Sequence, residues 1–123
     1  MQEIFEYIKS DIMVNKDDLE KALKYSELRK SGLYDQAKKI SLKGVYLKGA
    51  DLKGVNLEGA NLIGANLSNA ELVSANLSSA DLGYANLSGS NLKGANFRSA
   101  DIKGAIFTGV NLEGVDLSDA RKI

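Results

Sequence analysis

This sequence predicts a mainly β solenoid with a helical N-terminal segment, on three observations. From Leu42 to Leu117 every fifth residue is large and apolar: thirteen Leu with Phe97, Ile102 and Phe107 fill sixteen consecutive positions. Two residues before each stands a smaller one, Ala in ten cases and Val in four, with Ile40 and Ser90 completing the set. Two residues after each large residue comes Gly, in ten of the sixteen repeats. A period this regular defines an architecture before any local propensity does.

The period dictates the local geometry. In extended chain, alternate side chains share a face, so the large residue and the smaller one two positions earlier both point inward. The residue between them points out; it is Asn eight times, Asp four times, Glu once, and otherwise Ser41, Tyr46 or Ile106. Three extended residues make one short side. The next two must turn a corner, or the pattern could not restart with the same face inward. Gly at the second corner position supplies the positive φ that a type II turn needs. Asn69 and Asp119 tolerate that conformation, whereas Ser74, Ser79, Ser99 and Tyr84 do so less readily, and a different turn type is expected there. Like corners coil the sides into a solenoid whose turns stack at about 4.8 Å with backbone hydrogen bonds between them. Solenoids with periods of six or nine residues do not fit this spacing.

Residues 1–40 read as a helical capping segment and 41–123 as the solenoid. The apolar spacing of Ile4, Phe5, Ile8 and Ile12 predicts a short amphipathic helix over 3–13. Asn15 is placed to cap a second helix. Asp17, Asp18 and Glu20 follow it, where a helix N-terminus favours negative charge. That helix runs to about Ser31 with Leu19, Ala22, Leu23 and Leu28 inward, and Gly32 stops it. A last short helix uses Leu33, Tyr34 and Ala37. Forty residues of helix bury little alone, so they must pack on something, and the open end of the array comes next in the chain.

Composition excludes several classes of function. Acidic and basic residues number sixteen each, with eight of each sign in 1–40 and eight of each in 41–123. A balanced chain without a basic block gives no electrostatic case for nucleic acid or an anionic membrane. There is no Cys and no His, which removes thiolate chemistry and the commonest general base. The N-terminus is acidic where a signal peptide would be basic, and no apolar run is long enough to span a bilayer. A cytoplasmic protein is expected, with no cofactor, no metal site and no catalytic set. The stacked pair Asp81 and Asp101 could imitate an acid/base dyad, but a flat solenoid wall offers no pocket for one.

The repeat units Ala60-Asn61-Leu62, Ala65-Asn66-Leu67, Ala75-Asn76-Leu77 and Ala80-Asp81-Leu82 resemble those of the pentapeptide repeat proteins, and the resemblance covers about 80 residues. It implies a right-handed quadrilateral β-helix of about four coils, twenty residues to the coil. Four sides would stack Leu42, Leu62, Leu82 and Ile102 on one face and Leu47, Leu67, Leu87 and Phe107 on the next. Phe97 and Phe107 should then meet across the lumen. Asn ladders, such as Asn56 through Asn76 to Asn96, could add hydrogen bonds between coils.

Outward apolar departures from the pattern mark candidate contact residues. Ile63 and Tyr84 fall on adjacent coils at one corner, either side of Gly83 and flanked by Lys43 and Lys103. An apolar spot rimmed by charge fits a partner contact. At the C-terminal end, Phe107, Leu112 and Leu117 lie in a coil that no later helix covers, and end-to-end dimers have precedent in the family. An end-to-end homodimer through the C-terminal coil is therefore expected. The functional expectation is a non-catalytic protein-binding or scaffolding module with an unknown protein partner. The alternative implied by the resemblance is a DNA-mimic regulator of DNA gyrase and topoisomerase, of the quinolone-resistance type. A wall carrying Lys43, Lys48, Lys53, Lys93, Arg98 and Lys103 is a poor copy of phosphate.

Overall fold

The computed structural model describes residues 15–122. The helix expected over 3–13 lies outside the described residues. Two helices precede the repeats: α1, Lys16–Lys30, and α2, Tyr34–Ala37. Asn15 caps α1 as its position predicts, its side chain accepting from the Asp18 N–H at 3.1 Å. The far end closes as a Schellman motif. Leu33 N–H donates to Leu28 O at 2.9 Å and Gly32 N–H to Arg29 O at 3.1 Å, with Gly32 at φ +74°.

From Leu42 onward the chain winds in coils. Every parallel bridge joins residues twenty apart, from Tyr46↔Asn66 to Asp101↔Arg121, so four five-residue sides make one turn. The sides are stitched alike, except between Leu92 and Asn111, whose N–H groups make no bond of this kind. The central residue donates to the next coil (Leu62 N–H to Asp81 O, 2.7 Å), as does the second corner residue (Gly64 N–H to Gly83 O, 2.9 Å). The outward residue donates to the preceding coil (Asn66 N–H to Val45 O, 2.9 Å). Each side therefore presents two donors and one acceptor toward its C-terminal neighbour, and a preceding edge offers their complement.

The lumen is filled by the large and small inward residues. Leu42 through Leu92, every fifth residue, and Phe97 are fully buried, and each such side chain contributes roughly 1.5–3 kcal/mol of apolar burial. Phe97 and Phe107 meet edge to face with ring centroids 6.1 Å apart, as the four-sided register requires. Ser90, the one polar residue in the smaller inward row, is buried and donates its hydroxyl to Leu87 O at 2.6 Å.

Two expectations about the wall are corrected. All sixteen corners close with the same bond from the third residue after the central one, as in Ala75 N–H to Leu72 O at 3.0 Å. Ser74, Ser79, Tyr84 and Ser99 adopt φ between +56° and +60°, just as the glycines are positive at their corners, so no different turn type appears. The corner bond and the two inter-coil bonds on either side hold these residues in place, against a left-handed penalty of roughly 1–2 kcal/mol apiece. Second, the Asn side chains do not ladder between coils. Asn66 Oδ1 accepts from its own corner, from Ser68 N–H at 3.0 Å and Ser68 Oγ–H at 2.6 Å, and Asn76 and Asn86 do the same with Ser78 and Ser88. These Asx turns preset the corner, which explains Asn and Asp at the outward position. Among the described residues the one side-chain bond between coils runs from Asn91 Nδ2 to Glu71 Oε2 at 3.5 Å.

Helix α1 lies across the first coil. Ala22 and Leu28 face it as expected, with Leu19 half-buried, but Leu23 is exposed. Tyr25 and Ser26 are buried in its place, because the docked face also has to answer the coil's backbone. Tyr46 N–H, which in later coils would meet a preceding carbonyl, donates to Asp18 Oδ2 at 2.8 Å. Asn56 N–H, on the opposite side of the coil, donates to Ser26 Oγ at 2.8 Å. Eight residues of helix separate those acceptors, about 12 Å at 1.5 Å per residue, enough to cross the coil. Tyr25 Oη donates to Glu58 O at 2.6 Å, and Arg29 pairs with the Glu58 carboxylate at 3.0 Å. Burial raises the Tyr25 phenol above its ordinary 10.0; Arg29 draws it back and Glu58 adds to the rise.

Candidate interaction surfaces

The Ile63–Tyr84 corner is built by three coils. Ile63, Gly83 and Lys103 occupy one column of first-corner positions, and Gly64, Tyr84 and Gly104 the column of second-corner positions beside it. Tyr84 holds φ +60° and remains 64% exposed. Its ring lies against Gly104: a β-carbon there would come within 2.5 Å of the Tyr84 ring. Gly104 thus serves both its turn and the seat of the aromatic ring. Gly83 is buried between the coils and lets Ile63 and Tyr84 line one shallow depression of about 170 Å³. Asp81, Asp101 and Lys103 also line it. Both carboxylates are engaged in their own turns, Asp81 Oδ1 accepting from Gly83 N–H and Asp101 Oδ1 from Lys103 N–H, each at 3.1 Å. That is a structural duty, and it accounts for the pair without acid/base chemistry.

The C-terminal coil is the second surface. Leu112 is 47% exposed, and Phe107 and Leu117 are half-buried. Ile106 is exposed beside them. Among the described residues, the N–H groups of Phe107, Gly109, Leu112, Gly114, Leu117 and Asp119 have no acceptor. Asp116 accepts from Ser118 N–H at 2.9 Å, and that corner holds its carboxyl below the ordinary 3.8 through bonds from the Ser118 hydroxyl and amide.

A third feature has no counterpart in the sequence pattern. Where α1, α2 and the first two coils meet, a cavity of about 430 Å³ opens between Tyr25, Arg29, Tyr34 and Ile40. The Arg29 guanidinium stacks on the Tyr34 ring at 4.6 Å. The flat wall expected from the repeats is therefore interrupted here and at Tyr84. No three potential metal-ligating side chains cluster among the described residues, and no helix there is long and apolar enough to cross a membrane.

The pentapeptide-repeat family pattern matches in eight copies over residues 40–78 and 80–119. The chain belongs to the pentapeptide repeat family. Solved members of the family resemble it. The match to alr5209, a pentapeptide repeat protein from Nostoc PCC 7120, has 30% identity and a TM-score of 0.57, covering 73% of this chain and 72% of that one. The match to HetL, a pentapeptide repeat protein involved in heterocyst differentiation regulation from Nostoc sp. strain PCC 7120, has 37% identity and a TM-score of 0.47. It covers 60% of this chain and only 37% of HetL. QnrB1, a plasmid-mediated fluoroquinolone resistance protein, matches at 22% identity with a TM-score of 0.38, over 63% of this chain and 39% of that one. No curated protein matches. Pentapeptide repeat proteins form right-handed β-helices and are generally non-catalytic.

Proposed function

We propose that this pentapeptide repeat protein is a non-catalytic binding module, a right-handed solenoid capped by the helices before residue 40, that engages a protein partner in the cytoplasm through the Ile63–Tyr84 corner. The observation that carries the reading is the exposed Tyr84 ring. Ser74, Ser79 and Ser99 share its left-handed backbone, which the coils impose, so what sets this corner apart is a large aromatic side chain that is 64% exposed and seated on Gly104. A large aromatic left in solvent on a repeat wall points toward use by something outside the fold. The surroundings suit a contact: a tyrosine fixed on a glycine, an isoleucine beside it, and charges of both signs at the rim. Fixed aromatic side chains dominate protein interfaces because they bring large area at little entropic cost.

The test is a photo-reactive phenylalanine analogue placed at Tyr84 and, as control, at Ser99, a corner of the same backbone conformation. A discrete protein adduct formed at 84, absent at 99 and abolished by Ile63→Asp, is the expected result. Equal labelling at both corners, or none, would overturn the reading. The DNA-mimic alternative lacks the charge it needs, since 41–123 carries eight acidic and eight basic residues. A gyrase supercoiling assay at micromolar protein, with and without a fluoroquinolone, is expected to show no effect.

We propose also that a second copy covers the C-terminal coil through Phe107, Leu112 and Leu117. The exposed apolar side chains support this. Each open side offers two N–H groups for one carbonyl, so a two-fold contact cannot pair all of its backbone; it would rest on the side chains, with water on the surplus donors. Sedimentation at tens of micromolar should give a dimer mass that Leu112→Asp reduces to monomer. A monomer for the unmodified chain at that concentration would end the proposal.

A further inference from the structure

The cavity between the helices and the first coils is donor-rich, and we infer that it binds a small monocarboxylate with a flat apolar body. One rung of the ladder is missing beside this cavity. In the later coils the outward residue, Asn111 excepted, donates its N–H to a carbonyl twenty-one residues back, as Asn66 does to Val45. The corresponding bond from Asn61 to Ile40 is not made, because the chain there is leaving the ladder toward α2, and Asn61 N–H has no acceptor among the described residues. Asn61 lines the cavity. Its side-chain oxygen is taken by Ile63 N–H at 3.2 Å, which leaves the amide hydrogens to give. Ser41 is alike: its oxygen accepts from Lys43 N–H at 3.3 Å and its hydroxyl hydrogen remains. Arg29 and Lys38 line the same cavity, so donor-bearing residues from three separate segments border one space.

Charge and shape narrow the ligand. The two cations are balanced in formal charge by Asp35 in the lining and by Glu58, which pairs with Arg29. Such a site has no field for a polyphosphate or a polyanion, and a single carboxylate suits it better. Tyr34 and Ile40 bring apolar surface to the lining, while Tyr25 is almost wholly buried, and the cavity's 430 Å³ falls in the size range of small-molecule sites. A ring-bearing carboxylate would place its oxygens on Asn61 and Ser41, near Lys38, and its body against Tyr34 and Ile40.

The test is an amide NMR titration of the full chain with benzoate and, separately, with inorganic phosphate. Saturable movement of the Asn61 backbone amide with benzoate is expected, with affinity about tenfold above that for phosphate. Lys38→Ala and Tyr34→Leu should each weaken benzoate binding by roughly three- to tenfold; Lys38→Ala should leave Tm unchanged, whereas Tyr34→Leu also gives up the ring under Arg29 and lowers Tm slightly. An Asn61 amide that stays in place up to about 20 mM benzoate, a tighter response to phosphate, or binding indifferent to both substitutions would overturn the assignment.

Discussion

The two ends of the solenoid are built from the same repeat and yet differ in burial. In the first coil Leu42, Leu47, Leu52 and Leu57 are fully buried, whereas in the last Leu112 is 47% exposed and Phe107 and Leu117 are only half covered. The side chains are of the same kind, and so is the backbone. The difference lies in what sits on the end. Helix α1 gives the first coil apolar cover from Ala22, Tyr25 and Leu28, and acceptors from Asp18 and Ser26 for two of its edge N–H groups. Nothing among the described residues does this for the last coil. A coil of this fold therefore cannot bury itself, and its stability is set by its neighbours on either side.

That comparison can be broken by mutation. The largest effect is expected at Leu72, in the middle of the array and fully buried. Leu72→Asp should cost more than about 4 kcal/mol and unfold the central coils, because a carboxylate replaces a close-packed side chain with no partner. The same change at Leu112 should cost less than about 1 kcal/mol in the isolated monomer. Urea unfolding followed by circular dichroism would measure both, and equal losses would contradict a stability set by neighbours. Next come the acceptors on α1. Ser26→Ala should destabilise by about 1–2 kcal/mol, since it leaves the part-buried Asn56 N–H unsatisfied under the helix, and Asp18→Ala by less, because water reaches the exposed Tyr46 N–H. A loss of both side chains without a change in Tm would mean that the helix covers the coil by apolar contact alone.

Smaller effects sharpen the picture. Tyr84→Gly should leave stability unchanged or raise it by up to about 1 kcal/mol, as relief of the left-handed backbone is offset by the greater freedom of glycine in the unfolded chain. A clear loss of Tm would show that the ring on Gly104 is part of the fold rather than an external contact. The smallest effect is on pH dependence. Because the Tyr25 phenol is raised above 10.0 in the folded chain, the unfolded chain ionises first. The contribution of this group is complete below pH 10.0 and declines as pH climbs through the folded value. Tm measured from pH 8 upward should thus fall less steeply at the alkaline end for Tyr25→Phe than for the unmodified chain (pH limits about 8 to 11).

Much of the fold was legible in the sequence because the repeat encodes it redundantly. Leu at every fifth position, Ala two before it and Gly two after each specify the same side-and-corner unit, and the four-sided register then placed Phe97 against Phe107. What was not legible came from interactions outside the repeat. The turn type at Ser74, Ser79, Tyr84 and Ser99 follows from bonds to adjacent coils, which override the local preference of the residue. The role of Asn66, Asn76 and Asn86 depends on a bond made two residues away, which composition at the outward position does not reveal. Helical spacing places Leu23 inward, yet the face α1 presents also serves the polar groups of the coil, and Tyr25 and Ser26 are buried instead. The cavity at Arg29 and Asn61 joins residues thirty or so positions apart and has no local signature (a separation on the order of 30 residues). The two candidate residues at the Tyr84 corner were readable as departures from the pattern, but the strained φ and the seat on Gly104 were not.

The most direct test of the account is hydrogen exchange of single amides at a concentration where the protein is monomeric. Slow exchange is expected at Tyr46 and Asn56, whose acceptors come from α1, and exchange near the rate of unstructured chain at Leu112, Gly114 and Leu117. If Tyr46 and Asn56 exchanged as fast as Leu112, the helix would not seal the first coil, and the contrast between the two ends would be lost.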